Sequence, residues 1–296
     1  MQNVKAPARI AWIGMGKMGL PICVRLRGAG FAVTALCRNS ASAKNAAANG
    51  FTVARSIAET VDGAEVVFSA ISDDKALFDV VFANGGLQDR LTAAQVYVDI
   101  STVSPEASAR VAQALSPLGC PYLRSPVSGS TVVAAQGALT AMVSGPAEAF
   151  GALREVFAAF TKKAFLVGAG EQALTLKLAI NAMVGATSAL MGEALTLARK
   201  GGLDIHDIME VVSSSVVASP LVLYKRAAIE NGDYAPAFGA SQMLKDFDLI
   251  AEAAKATSCD VPLLQGVRET YRAAIARGLG DQDFFVLTAA DAKVSK

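Results

Sequence analysis

Lys177 and Asn181 lie four residues apart in the stretch ALTLKLAINAMVGATSALM, which is otherwise almost wholly apolar. Helical spacing puts both on one face, with Ser188 on nearly the same line. An ammonium group taken out of water has its pKa pushed down, so it can give or take a proton near neutrality. Two simpler readings compete: a membrane span carrying a charge, and a lysine snorkelling out of a core helix. The stretch has about the ~20 apolar residues that a bilayer needs. A span, however, would hold Lys177 and Asn181 in hydrocarbon with no second span beside it. Snorkelling suits a lysine at a helix end better than one further inside. The favoured reading is a narrow polar stripe facing a cleft, on a helix otherwise buried on all sides.

A second set of residues fits phosphate chemistry. ARIAWIGMGKMGLP places Gly14, Gly16 and Gly19 as G-x-G-x-x-G between a strand pattern and a helix pattern. The first glycine permits a tight turn, the second lets the backbone approach a pyrophosphate, and the third allows close helix packing. Met15, Lys17 and Met18 lie within the same turn, and Ser72 closes a later strand pattern; all four are counted with the cofactor contacts. At the end of the second strand pattern, in FAVTALCRNSASAK, Arg38 stands where an acidic residue would read a ribose hydroxyl. A guanidinium there suits the 2′-phosphate of NADP, with Asn39 and Ser40 as neutral donors; NAD stays open, as does a merely solvated Arg38.

Two further stretches present hydroxyls and free amides. DISTVSPE carries Ser101 and Thr102 just past a strand, where ligands bind in open α/β folds, and SPVSGS carries Ser128, Gly129 and Ser130. Each serves equally well as a turn with a helix cap. In QMLKDFDLI, Lys245 and Asp246 read alone as a solvated charge pair. The single histidine, His206, sits between Asp204 and Asp207 at a helix start, where capping or solvation is expected rather than proton transfer.

The elements that must position these residues follow from the pattern. ARIAWIG, FAVTALC, EVVFSAI and QVYVDI are continuous apolar runs separated by helical segments, which indicates a mostly parallel sheet covered on both faces. CPYLRSPVSG, ALTAMVSG and KAFLVG extend the sheet. A long helix is predicted from about 171 to 200, with further helices near 204–215, 220–231, 240–256, 262–277 and 283–291. The expected architecture is an α/β Rossmann-type NADP-binding domain over 1–167. An all-α domain for substrate binding and dimerisation follows over 168–296, with the long helix as the joint.

The chain has 296 residues, 53% hydrophobic and 18% charged, so it can fill two cores and is not disordered. A net charge of +1, without a basic run, offers no field for nucleic acid. Four scattered cysteines, Cys23, Cys37, Cys120 and Cys259, form no metal or disulfide spacing. With no signal-peptide pattern at the N-terminus, a cytoplasmic protein is expected.

In this order, GMGKMGLP, DISTVSP, SPVSGS with QGALTAMVSG, the K-x-x-x-N of LKLAIN, and LKDFDL resemble the β-hydroxyacid dehydrogenase family over essentially the whole chain. That family includes 3-hydroxyisobutyrate dehydrogenase, tartronate semialdehyde reductase and the glyoxylate/succinic semialdehyde reductases. The resemblance implies hydride exchange between NADP(H) and a small 3-hydroxy acid or its semialdehyde. Lys177 matches the catalytic lysine and Asn181 its companion. Ser128 and Gly129 match the loop that holds the substrate carboxylate; apart from the resemblance, Ser101, Ser130 and Asp246 are expected as further substrate contacts. Thr102 matches the residue beside the nicotinamide, and Lys245 one that reaches cofactor and substrate. The loop usually reads D-A-P-V-S-G-G; here Ser125 and Ser130 depart from it, which bears on substrate choice. Imine reductases share the architecture but usually lack the lysine, and a catalytically silent dinucleotide-binding protein is the third alternative. A homodimer or homotetramer is expected, acting on a small carboxylate, with no membrane or nucleic-acid partner.

Overall fold

Strands buried on both faces need apolar residues in both directions, and the N-terminal unit is built this way. The computed structural model describes residues 1–289, and packing divides the chain into units 1–177 and 178–296. Nine strands form one sheet: β1 (Arg9–Ile13), β2 (Ala32–Leu36), β3 (Thr52–Ala54), β4 (Val66–Ser69), β5 (Val96–Asp99), β6 (Tyr122–Arg124), β7 (Val127–Ser128), β8 (Leu139–Ser144) and β9 (Thr161–Gly168). Their order is β3-β2-β1-β4-β5-β6-β8-β7, with β9 beside β8. From β3 to β6 all pairs are parallel; β8 runs antiparallel to β6 and β7, and β9 parallel to β8.

Helices α1 (Gly19–Gly28), α2 (Ser40–Ala48), α3 (Ile57–Val61), α4 (Asp74–Phe82), α5 (Pro105–Leu115), α6 (Thr131–Ala135), α7 (Ala147–Ala152) and α8 (Arg154–Ala158) cover the sheet. Ile10, Trp12, Val66 and Phe68 pack to one side with residues of α1, α7 and α8. Their neighbours Ala11, Ile13, Val67 and Tyr97 pack to the other with α4 and α5. Every strand residue from Val66 to Ser69 and from Val96 to Asp99 is buried, which explains the unbroken apolar runs. Strand order reverses between the parallel strands β1 and β4, and in open α/β sheets ligands bind past the carboxyl ends at such a point.

Two details differ from expectation. CPYLRSPVSG forms two strands, broken at Ser125-Pro126 because proline has no N–H for a ladder. The three-residue β3 was too short to leave a pattern.

The second unit is helical. The long helix α9 (Gln172–Lys200) continues into it, followed by α10 (Ile205–Ser214), α11 (Pro220–Asn231), α12 (Ala240–Ala256) and α13 (Pro262–Ala276). The helix expected over 283–291 is a 3-10 turn, Phe284–Thr288; positions 290 and 291 lie outside the described residues. Gly185 and Gly192 bring α9 close to its neighbours. A Cβ on Gly185 would stand 2.4 Å from Phe247 Cε2, and one on Gly192 2.4 Å from the Leu287 carbonyl oxygen.

All-round burial of α9 does not hold. Leu176, Met183, Leu190 and Leu197 are 39%, 64%, 69% and 76% exposed. They recur every seven residues and lie about 200° round the helix from the two glycines, at ~100° per residue. By length and composition alone α9 could cross a bilayer, and 44% of its most apolar window is buried.

Candidate active site

The turn after β1 has the shape its glycines require. Gly14 has φ +93°, and a Cβ there would lie 2.3 Å from the Ala70 carbonyl oxygen. A Cβ on Gly19 would stand 2.6 Å from the Gly14 carbonyl oxygen and 2.7 Å from Trp12 Nε1, which donates to that same carbonyl at 3.3 Å. At Gly16, by contrast, a Cβ would meet nothing within 4 Å, so the backbone faces open space. Met15 is buried in the core, so its side chain is unavailable to a ligand; Lys17 is exposed and Met18 half-buried. Helices α2 to α5 carry side-chain caps from Asn39, Ser56, Asp73 and Ser104, whereas α1 has none. An open backbone at an uncapped ten-residue helix start fits a pyrophosphate.

Arg38, just past β2, is exposed and makes no ion pair or hydrogen bond among the described residues. Asn39 Oδ1 accepts from Ser42 N at 2.8 Å, which leaves its amide N–H groups as donors, and Ser40 opens α2 in solvent. Exposed Ser72 donates to Asp73 Oδ2 at 2.7 Å, beside the cap of α4.

At the carboxyl ends of β4 and β5 the chain buries a carboxyl group. Asp99 is 1% exposed, and its Oδ1 accepts from Ser69 Oγ at 2.7 Å, Ser101 Oγ at 2.5 Å and Ser101 N at 3.1 Å. Burial raises its pKa above the usual 3.8, with the bonds from Ser101 and Ser69 partly opposing that. Ser101 Oγ also accepts from Ile71 N at 2.9 Å. Its one hydroxyl hydrogen is therefore engaged with Asp99, and Ser101 orders the loop instead of offering a donor to substrate. Thr102, half-buried, is the next residue presented. Sequence reasoning passed over Asp99, although a carboxylate ending an otherwise apolar strand run was a legible signal.

The loop after β6 is shaped by Gly129. Its φ is +136°, and a Cβ would lie 2.7 Å from Leu139 Cδ2 and 2.9 Å from Val133 Cγ1. Ser128 is half-buried at the end of β7. Ser130 Oγ accepts from Val133 N at 3.4 Å and caps α6, so the extra side chain turns back on its own helix. Ser125 is fully buried, and its N–H donates to the Asp99 carbonyl at 2.6 Å.

On α9, Lys177 is half-buried and Asn181 only 7% exposed. Asn181 Nδ2 donates to Asp246 Oδ2 at 2.6 Å. Lys245 Nζ lies 3.0 Å from Asp246 Oδ1, near enough for an ion pair though not aligned as a hydrogen bond. Asp246 is 1% exposed, so it is neither half of a solvated pair nor a surface for substrate; it orients the Asn181 amide. Ser188 leaves the polar stripe too: buried, it donates to the Phe284 carbonyl at 2.8 Å.

The family model described as the NAD binding domain of 6-phosphogluconate dehydrogenase matches residues 9–168. A second, described as NAD-binding of NADP-dependent 3-hydroxyisobutyrate dehydrogenase, matches residues 168–289. The chain belongs to the β-hydroxyacid dehydrogenase family. Within it, the chain is 27% identical to glyoxylate/succinic semialdehyde reductase 1 of Arabidopsis thaliana, over 93% of this chain and 95% of that one. It is 29% identical to the NAD-dependent L-serine dehydrogenase of Pseudomonas aeruginosa, over 94% and 96%. The crystal structure of 3-hydroxyisobutyrate dehydrogenase from Salmonella typhimurium is similar at a TM-score of 0.86 and 25% identity, covering 95% of this chain and 99% of that one. This β-hydroxyacid dehydrogenase is thus an oxidoreductase built to bind a nicotinamide dinucleotide.

The buried Asp99 yields a pH test. Its raised pKa means that its contribution to stability is fully present below about 3.9 and is lost as pH rises through the folded value. The unfolding free energy of the native protein minus that of Asp99→Asn should therefore fall between acid and neutral pH. Denaturant titrations across that range measure it, and a pH-independent difference would contradict the assignment.

Proposed function

We propose that the protein is an NADP(H)-preferring oxidoreductase that interconverts a small 3-hydroxy acid and its semialdehyde, with Lys177 exchanging the proton. The observation that carries this reading is Lys177, one helical turn before an Asn181 whose amide is held by a buried carboxylate. Asp246 takes one amide N–H of Asn181, so the other N–H and the carbonyl oxygen keep a fixed direction. When bound, the nicotinamide supplies or accepts the hydride.

The chain's own residues do the rest. In the reductive direction Lys177 Nζ gives its proton to the substrate oxygen as negative charge develops there, a contact made most strongly in the transition state. In the oxidative direction the neutral amine takes that proton back. Ser128, through its hydroxyl, and Gly129, through its backbone N–H, hold the substrate carboxylate. Thr102 lies beside them in role, on a loop fixed by Asp99 and Ser101. Semialdehyde reductases among the relatives support the substrate class, and the exposed guanidinium of Arg38 just past β2 supports the choice of NADP.

The exposed heptad of Leu176, Met183, Leu190 and Leu197 supports a homo-oligomer. A single apolar stripe opposite a face of small, buried residues suits helix–helix pairing with a second copy. It also accounts for the hydropathy of α9 without a membrane. Four free, scattered cysteines accord with a reducing cytoplasm.

Three measurements test these readings. Lys177→Ala should lower kcat by roughly 10²–10⁴-fold and leave NADPH affinity nearly intact; retention of about a tenth of the rate would remove the proposed role. The substrate panel for this assay is glyoxylate, succinic semialdehyde, tartronate semialdehyde, 3-hydroxyisobutyrate and serine, with each cofactor. Arg38→Gln should weaken NADPH binding about tenfold or more while sparing NADH, because a charge-assisted phosphate contact is lost; equal effects on both cofactors would refute it. Leu190→Glu should shift the native oligomer to a smaller species in light scattering, and an unchanged mass would place the interface elsewhere.

A further inference from the structure

Arg124 and Glu171 form an ion pair that neither the dinucleotide turn nor the proton transfer uses. Arg124 ends β6, and its side chain is 7% exposed; that of Glu171 is 20% exposed. Arg124 Nε donates to Glu171 Oε2 at 3.0 Å, and a terminal guanidinium nitrogen donates to Oε1, so the pair is bidentate. The guanidinium also gives Nε to Ser108 Oγ at 3.2 Å and lies 4.4 Å over the Tyr122 ring. Breaking a buried pair on one side is costly, yet replacing both partners by apolar groups is often neutral for stability. Stability alone therefore gives little reason to keep this pair.

Its placement suggests another reason. Ser125 to Ser130, the loop proposed to hold the substrate carboxylate, follows Arg124 directly. The Glu171 carbonyl accepts from Thr175 N at 3.1 Å, so Glu171 stands at the start of α9. Lys177 lies six residues on, about 9 Å along the axis at ~1.5 Å per residue. Ser144, at the end of β8, makes a second tie: its Oγ donates to the Gly170 carbonyl at 2.5 Å and accepts from Ala173 N at 3.2 Å.

On the other side the pair joins the ordered strand ends. Tyr122 stacks on Tyr97 at 5.0 Å, and Tyr97 OH lies 2.7 Å from Ser69 Oγ, which reaches Asp99. The planar fork of an arginine on a carboxylate fixes direction as well as distance.

We propose that the buried Arg124–Glu171 pair is a positioning device that fixes the first turn of α9, and with it the Lys177 ammonium, relative to the loop 125–130. The inference rests on the proposed proton role of Lys177. Both residues act through Lys177 and do not touch the reacting atoms. A displacement of about 1 Å at such a group can cost on the order of 10²-fold in rate.

The test compares Arg124→Met, the double variant Arg124→Met/Glu171→Leu, and Arg124→Lys with the native enzyme. The single Arg124→Met strands a carboxylate and should lower both the thermal midpoint and kcat. The double variant should recover the midpoint while kcat stays at least about tenfold down, with NADPH affinity within about twofold of native. Arg124→Lys keeps the charge without the fork and should keep the midpoint but lose part of kcat. The rate at which trinitrobenzenesulfonate labels Lys177, read by mass spectrometry, gives a measure independent of turnover and should change in the double variant. Native kcat and native labelling in the double variant would overturn the proposal; should that variant not fold, native values in Arg124→Lys would do so. Failure of the lysine reading shows separately, as activity surviving in Lys177→Ala.

Discussion

Burial of both faces of the parallel sheet is the constraint from which the rest of the N-terminal unit follows. With apolar residues required in both directions, no strand interior has room for a polar group with a task. Chemistry is left to the carboxyl ends, at the point where the strand order reverses between β1 and β4. The glycine turn, Ser72, Thr102 and the 125–130 loop all lie past strand ends on that edge. Gly14 fits there because its missing Cβ leaves room for the Ala70 carbonyl, and Gly16 because nothing occupies the space above it.

Three buried polar groups in this molecule share a pattern: each holds another side chain. Asp99 gathers Ser69 and Ser101 and so fixes two connections at once. Asp246 holds Asn181, and Arg124 holds Glu171. Left without those partners, each would carry the full cost of desolvation. The groups proposed to meet ligands are the more accessible ones: Arg38 is exposed, and Thr102, Ser128 and Lys177 are half-buried. Under the proposed function, burial separates residues that position from residues that touch, with Ser101 and Asp246 in the first class.

The relatives act on different molecules by name, a semialdehyde reductase and a serine dehydrogenase among them, while the scaffold changes little. One fold of this kind hosts several activities, so the substrate is decided by the residues of the site and not by the scaffold. Ser130 illustrates how little a single departure in the motif reveals. Its side chain replaces the expected glycine, yet it folds back to cap α6 and leaves the loop's shape to Gly129.

By itself the sequence determined the order of strands and helices in the first half, the glycine turn, the long helix and the Lys177–Asn181 spacing. These are set by local rules: a period of two or of 3.6, the missing Cβ of glycine, and unbroken apolar runs where both faces are covered. Only the tertiary structure decided what each polar side chain does, because hydrogen-bond partners come from distant parts of the chain. Asn181 meets Asp246 across 65 positions, Ser188 meets Phe284 across 96, and Arg124 meets Glu171 across 47. The exposed heptad on α9 was hidden for the same reason, since a helix apolar all round gives no sign in sequence of which face its own fold will leave uncovered.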